Sequence, residues 1–177
     1  SSAATGTGGF VAVGSADSIN NQNLTSIASV AANASVVARN NVTVEADTIA
    51  NAAATARASA GGFVGTVYPD SVVDIGFTTE ASVGDDAVVL AADGLARIDA
   101  NTSLSVSART TGSGLGFGGD ASADAQVNIT ASENQVVVGE GASVEGNTVL
   151  LQATMDNFRA RVNGDGRGAG FYGEGTS

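Results

Sequence analysis

The stretch ASAGGFVGTV, residues 58–67, decides the organisation of this chain because it returns in altered form three more times. The other copies are GTGGFVAVG, GSGLGFGGD and GRGAGFYGEG, and their shared phenylalanines are Phe10, Phe63, Phe117 and Phe171. Successive phenylalanines are therefore 53, 54 and 54 residues apart. This interval predicts a repeat protein of one segment, 1–177, with units at 10–62, 63–116 and 117–170 and a further unit starting at 171–177.

Hydrophobic residues between the phenylalanines alternate with polar ones, and the alternation repeats from unit to unit. The three copies VTVEAD (42–47), ARIDAN (96–101) and VLLQAT (149–154) place apolar side chains at every second position. A period of two is the mark of a strand with one buried face. Copies that keep the same parity predict equivalent strands stacked on one another.

Two further sets of segments extend this pattern. AAATAR (52–57), LSVSAR (104–109) and FRARV (158–162) alternate in the same way, and residues 26–36, 78–89 and 134–144 form the other set. Arg57, Arg109 and Arg161 recur at an interval shorter by two than the phenylalanines, which indicates a register that slips by two. Ala-rich residues 47–60 could form a helix on propensity, but their counterparts are rich in Ser, Thr, Val and Gly, so strand is predicted throughout.

The fold class that these patterns predict is all-β, with strands of successive coils pairing in parallel at about 4.8 Å. Strand seeds near Phe10, Val30, Val44 and Phe63 favour about three coils of roughly 18 residues per 54-residue unit, and two of about 27 remain open. The glycines of the repeated phrase allow sharp corners and close approach of neighbouring backbones. The phenylalanine after them is expected to stack on its equivalents inside the structure.

Composition and charge exclude several classes of function. The net charge is −11, from 18 acidic residues and seven arginines, so binding to nucleic acid or to an anionic membrane surface is not expected. No cysteine is present for a disulfide or a thiolate metal site. No apolar run approaches about 20 residues, so no helix of the sequence is expected to insert into a membrane.

Two longer stretches, NVTVEADTIANAAATARASAGGFVG (41–65) and GEGASVEGNTVLLQATMDNF (139–158), resemble the repeats of filamentous-haemagglutinin-like giant adhesins of bacteria. The resemblance covers nearly all of 1–177 and rests on phrasing of the form G-x-G-A-x-V. It implies a right-handed parallel β-helix that is exported to the cell surface or beyond. It further implies a non-enzymatic stalk or adhesive fibre that binds cell-surface or matrix ligands.

The two ends of the chain suggest an alternative, a self-assembling extracellular filament. SSAATGTGG at one end and GFYGEGTS at the other both continue the repeated phrase and do not resemble caps. A solenoid needs its open edges covered. We therefore expect either a piece of a longer chain or copies that stack end to end, for which Phe10 and Phe171 are in phase.

A β-helical enzyme that acts on polysaccharides is the second alternative. The sequence has no His, Cys or Lys, so only a pair of carboxylates could perform the catalysis. The candidates are Asp85, Asp86, Asp99, Asp120, Asp124 and Glu140. Their spacing selects no pair, so no catalytic residue is predicted.

Cofactor and metal sites are not predicted either. GGDASADAQ (118–126) offers oxygen ligands at Asp120, Ser122 and Asp124, but an EF-hand would need an acidic residue where Ala131 stands. A weak calcium site is the most that this stretch allows. The glycine-rich stretches GSGLGFGG (112–119) and GDGRGAG (164–170) occupy the corner of the repeat and open no helix, which argues against a dinucleotide loop.

Two surface features complete the predictions. Sequons for asparagine-linked glycans occur at Asn23, Asn33, Asn41, Asn101 and Asn128, which an exported protein would permit. Tyr68-Pro69-Asp70 contains the single proline and is expected to form a projecting turn. That turn could serve as a contact point for a partner or a neighbouring rod.

Overall fold

The computed structural model describes residues 1–172 and 174–177, and its strands belong to one eight-stranded sheet with parallel pairing. The strands are β1 (Ser2–Val30), β2 (Ser35–Ala38), β3 (Val42–Val83), β4 (Val88–Leu115), β5 (Gly118–Ser122), β6 (Asp124–Val138), β7 (Ser143–Ala169) and β8 (Glu174–Thr176). The all-β prediction and the parallel pairing are confirmed. The described part of the chain contains no helix that could cross a membrane.

The register shows that each repeat forms a single layer. Ser2 pairs with Thr55, Val42 with Ala96 and Gly76 with Ala131, so each residue pairs with its equivalent in the next repeat. The expectation of three coils of about 18 residues per repeat is therefore wrong, as is that of two of about 27. Alternation marks which side chains face inward, but it does not mark where the chain turns back.

Each layer is a flat loop with two long arms that face each other. The outward arm comprises 42–61, 96–115 and 149–169, and the return arm comprises 11–30, 64–83 and 118–138. In the layer that contains β3, small side chains of the outward arm pack against large ones of the return arm; the residues are Ala50, Ala52, Ala54, Val73, Ile75 and Phe77. This packing explains why Ala-rich 47–60 is a strand despite its helix propensity.

Buried hydroxyl groups join the two arms across the interior. The Thr79 hydroxyl donates to Thr48 Oγ1 over 2.7 Å and lies 2.9 Å from Thr102 Oγ1 in the next layer. Ser71 and Thr110 form a similar pair at 2.6 Å. Since buried polar groups are costly without partners, these bonds hold the arms in one alignment.

A short third side closes the end of the layer opposite the glycine-phenylalanine phrase; it comprises 35–38, 88–91 and 143–146. In each layer this side follows a tight turn that stacks on the turns of neighbouring layers. The third residue of each turn has a left-handed backbone, with φ of 60° at Asn33, 54° at Asp86 and 69° at Gly141. Asn, Asp and Gly are the residues that tolerate this conformation. The N–H of Asn33 donates to Asp85 O at 2.8 Å, which ties one turn to the next.

The repeated glycine-phenylalanine phrase forms the corner where the arms meet. A Cβ on Gly62 would overlap the backbone of Gly9 in the layer below, so only glycine fits there. The phenylalanines stack as predicted, with ring centroids 4.9, 5.1 and 5.5 Å apart. They stack outside the core, however, with Phe63 48% exposed. The arms approach too closely at the corner to leave interior space for a ring.

Tyr68-Pro69-Asp70 does not project as a turn. All three residues belong to β3, and Pro69 is buried and pairs with Ala16. Toward the next layer the ladder of backbone pairs is interrupted beside Pro69, because β5 ends at Ser122 and β6 begins at Asp124. A proline lacks the N–H that a central strand donates, and it is accommodated beside this gap.

Candidate interaction faces

The facing arms leave the layered sheet with two broad outer surfaces that point in opposite directions. Even-numbered residues of 50–60 point inward from the outward arm, and odd-numbered residues of 71–83 point inward from the return arm. The intervening residues of each arm therefore point away from the core. Their chemistry differs sharply between the two surfaces.

The first surface, here called the basic face, is the outer side of residues 51–59, 105–113 and 159–167. It contains five of the seven arginines, Arg57, Arg109, Arg159, Arg161 and Arg167. The one acidic side chain on it is Asp165, which pairs with Arg167 at 2.9 Å. Among the described residues, the other four arginines form no ion pair.

Three of these arginines form a diagonal row. Arg109 pairs with Thr55 and Arg57 pairs with Thr111, so the register does not slip by two as the spacing of the arginines indicated. Arg161 pairs with Ser107 in the same manner. Each arginine is thus displaced by two residues and one layer from the last, a step of roughly 8 Å from strand geometry.

A shallow depression lies between these arginines. Hydroxyl and amide groups share its lining with two guanidinium groups; the polar residues are Thr55, Ser107, Arg109, Arg161 and Asn163. Guanidinium groups bind carboxylates through paired, charge-assisted hydrogen bonds. The basic face can therefore receive anionic groups, although the chain as a whole is acidic.

The second surface, here called the acidic face, is the outer side of the return arm together with β8. It contains eight acidic residues: Asp17, Asp70, Asp74, Glu80, Asp120, Asp124, Glu133 and Glu174. The return-arm segments 11–30, 64–83 and 118–138 contain no arginine. The acidic face thus contains no arginine, whereas the outer side of the outward arm is mixed: beyond the basic face it also carries Glu45, Asp47 and Asp99 near Arg97.

Like charges stack at one position of the acidic face. Asp17, Asp70 and Asp124 are direct partners in three successive layers. Partial burial is the largest cause that raises the pKa of Asp70 above its usual 3.8, and repulsion from Asp124 and Asp17 adds to it. Other carboxylates on this face have an amide neighbour instead, as Asn128 donates to Asp74 at 2.7 Å.

The phenylalanine ladder lies at the corner between the two faces. Its rings are parallel within 5°, so their edges face the solvent while their planes cover one another. Tyr172 packs against the edges of Phe117 and Phe171, with centroids 5.8 and 5.6 Å away. This contact shows that an aromatic ring can bind across two layers of the ladder.

The carboxylates considered for catalysis lie in three separate places. Asp85 and Glu140 meet at the stacked turns, where Asp85 Oδ1 accepts the N–H of Glu140 at 2.9 Å. Asp86 lies in the same turns, whereas Asp99 is buried on the outward arm, where Arg97 and Asn101 bond to it. Asp120 and Asp124 share the acidic face. Within residues 1–172 and 174–177, no three acidic side chains form a group that could hold a metal ion.

The predicted glycan acceptors differ in accessibility. Asn23 and Asn33 are exposed. Asn101 donates to Asp99 at 3.1 Å, and Asn128 donates to Asp74, so both amides are already engaged. Asn41 accepts the backbone N–H of Leu95 at 2.9 Å. A glycan is attached to the amide nitrogen, which donates a hydrogen bond at Asn101 and Asn128. At Asn23, Asn33 and Asn41 no such bond is formed among the described residues, so these three are the more accessible acceptors.

Sequence reasoning did not find the two charged faces. The signal was present, because no arginine lies in the return-arm segments while all six arginines in 57–167 have odd residue numbers. Its meaning depends on knowing that the two arms face each other. The chain matches no model of a known protein family, no curated protein and no solved structure.

Proposed function

We propose that the chain is a non-enzymatic segment of an exported, right-handed β-solenoid fibre, of the kind found in filamentous-haemagglutinin-like adhesins. In this proposal each repeat forms one coil, and the coils stack into a stalk at the cell surface or outside the cell. The broad outer faces bind cell-surface or matrix ligands. Glycans on exposed asparagines are compatible with that location.

The observation that supports this proposal is the parallel register, which continues through every repeat with local shifts at Ile75/Gly76, Ala91/Leu95 and Thr102/Ser103. Residues of each repeat stack on their equivalents in the next repeat, from Ser2 on Thr55 to Leu115 on Ala169. Such a structure can be extended layer by layer without any change in its cross-section. This property supports a stalk, and in the proposal the long ladders of backbone hydrogen bonds resist separation of the layers.

Single-molecule force measurements on the chain test the load-bearing role. Pulling from both ends should release one layer at a time, with length increments of about 190 Å for about 54 residues at roughly 3.6 Å each. Increments near one third of that length, or extension without force peaks, would argue against a stalk in which each repeat forms one coil.

The adhesive role needs a separate measurement. Beads coated with the chain should attach to cells or extracellular matrix more often than beads coated with an acidic protein of similar charge. Equal attachment of the two kinds of bead would remove the adhesive part of the proposal and leave the structural part standing.

End-to-end filament formation is a second candidate, favoured by the apolar surface onto which a layer of a second copy could stack. Leu151, Phe158 and Val162 are 49%, 52% and 55% exposed. Their partners one layer below, Ile98, Leu104 and Ala108, are almost wholly buried. A further layer would bury this apolar surface at about 25 cal/mol per Å². Cryo-electron microscopy over a dilution series should show filaments that shorten on dilution, whereas short particles at every concentration would exclude this candidate.

A further inference from the structure

We propose that copies of this protein associate side by side, with the basic face of one copy against the acidic face of another. This inference goes beyond the stalk or filament, in which layers join only at their edges, and it does not depend on export or adhesion. The partner is a second copy because each molecule presents both members of a complementary pair. Charge complementarity between the two faces is the observation that carries the inference.

The two faces share the same spacing of layers and of side chains along each strand. Both are built from the same layers, which are about 4.8 Å apart, with outward side chains about 6.8 Å apart along each strand. Three rows of arginine-bearing strands can therefore align with three rows of acidic strands. The arginines are displaced by two residues per layer, whereas Asp17, Asp70 and Asp124 form a straight column. When the layers of two copies are aligned, one arginine of the row therefore faces this column and the other two lie beside it.

Each face has charge that the isolated molecule leaves unbalanced. Among the described residues, the diagonal arginines form no ion pair. Asp17, Asp70 and Asp124 instead stack as like charges in neighbouring layers. A guanidinium between two stacked carboxylates would relieve the repulsion between them and gain bidentate hydrogen bonds. The association would thus pair the arginines of one copy and reduce the repulsion between carboxylates of the other.

The size of the faces indicates a weak association. Nine residues along a strand and three layers cover roughly 30 by 14 Å, or about 400 Å² per partner. A stable interface buries about 800 Å² per partner. Two molecules of charge −11 also repel each other, but the screening length of about 10 Å at 0.1 M salt reduces that long-range repulsion more than it reduces direct contacts.

Sedimentation velocity on the intact chain, from micromolar to millimolar concentration, tests the proposal. We expect concentration-dependent association in 0.1 M NaCl and at least a tenfold lower association constant in 1 M NaCl. The variant Arg57→Ser/Arg109→Ser/Arg161→Ser should lose the association at both salt concentrations. Serine or threonine already occupies the paired positions Thr111, Thr55 and Ser107, so the fold should tolerate these changes.

Net charge needs its own control, because this variant changes it from −11 to −14. Three neutralising changes away from both faces return it to −11; they are Asp86→Asn, Asp93→Asn and Glu140→Gln. The combined variant should still fail to associate. Recovery of association in the combined variant would overturn the proposal, since net repulsion alone would then explain the loss.

Reversal of charge distinguishes the two faces from each other. One variant is Arg57→Glu/Arg109→Glu/Arg161→Glu, and a second is Asp17→Arg/Asp70→Arg/Asp124→Arg. Neither should self-associate, but a mixture of the two should form complexes. A mixture that stays monomeric, or a wild-type chain that is monomeric at 1 mM, overturns the proposal. If the monomeric wild-type chain instead binds dextran sulfate, the basic face holds polyanions and not a second copy.

Discussion

Asp70 is the direct partner of Asp124 in the next layer, so two carboxylates of like charge lie one layer apart on the acidic face. Asp17 occupies the same position in the layer below. The folded chain therefore binds a proton at Asp70 more tightly than the unfolded chain does, because its pKa is raised. The stability that protonation of Asp70 contributes is fully present below its unfolded pKa of 3.8. It is lost as the pH rises through the raised pKa of the folded state.

Replacing Asp70 with asparagine should therefore stabilise the protein at pH 7 and have little effect at pH 3. The free energy of unfolding from urea titrations at several pH values measures this difference. Asp74→Asn is the matched control on the same face, because Asp74 has the amide of Asn128 as its neighbour in the next layer and not a second carboxylate. The same gain in both variants at pH 7 would show that stacking of like charges is not the cause.

The corner glycines give a second prediction. Gly62→Ala should destabilise the fold by about 3 kcal/mol, because the new Cβ would overlap the backbone of Gly9. The adjacent Gly61→Ala meets no atom within 4 Å and should range from neutral to a gain of about 1 kcal/mol. Thermal and urea unfolding compare the two variants. Similar effects at both positions would contradict the close approach of layers at this corner.

The buried threonines give a third prediction. Thr79→Val should lower the free energy of unfolding by about 1–3 kcal/mol, because the hydroxyls of Thr48 and Thr102 lose their shared partner. Thr78→Val makes the same chemical change one residue earlier, on the outer side of the strand, and should stay within about 0.5 kcal/mol. If the outer variant is the less stable one, the inward alternation at this position is wrong.

The register between repeats gives a fourth prediction, through a disulfide in a chain that has no cysteine of its own. Asn51 and Ser105 are direct partners on the outer side of neighbouring layers. The variant Asn51→Cys/Ser105→Cys should oxidise readily, since paired strands place Cα atoms within the range that a disulfide spans. Mass spectrometry and gel mobility detect the closed loop.

The variant Asn51→Cys/Tyr68→Cys serves as the control for this experiment. Its two positions are separated by nearly the length of a short coil of about 18 residues, but they point outward from opposite arms. We expect no intramolecular disulfide between them. Efficient oxidation of this pair would favour short coils over layers that each contain a whole repeat.

Much of the local structure could be predicted because it depends on chemistry repeated at a fixed interval. Ile98 and Ala100 face the core, as alternation in ARIDAN predicts, and they stack above Val44 and Ala46 as the repeat predicts. The phenylalanines also stack as expected. Each of these features follows from side-chain parity and from equivalence between copies, both of which are visible in the sequence.

The location of the phenylalanine ladder and the size of the layer could not be predicted in this way. A core position and a corner position both recur once in every repeat, so periodicity does not separate them. Pro69 illustrates the same limit: it has the sequence signature of a turn, yet it lies buried in β3 beside an interruption in the ladder. Whether a local signal ends a strand depends on which neighbours the strand has.

The sequence by itself determined the strand class, the equivalence of the repeats and the inward parity of each strand, because these follow from local alternation and from repetition. Only the tertiary structure decided that one repeat makes one layer, that the arms face each other, and that a cluster of arginines on one arm lies opposite the arginine-free acidic face of the other. Those features depend on where the chain turns back, and the turning point is set by packing between distant segments. Arg109 and Asp70, for example, both occupy polar positions that alternate with buried ones. They point in opposite directions because their arms face each other.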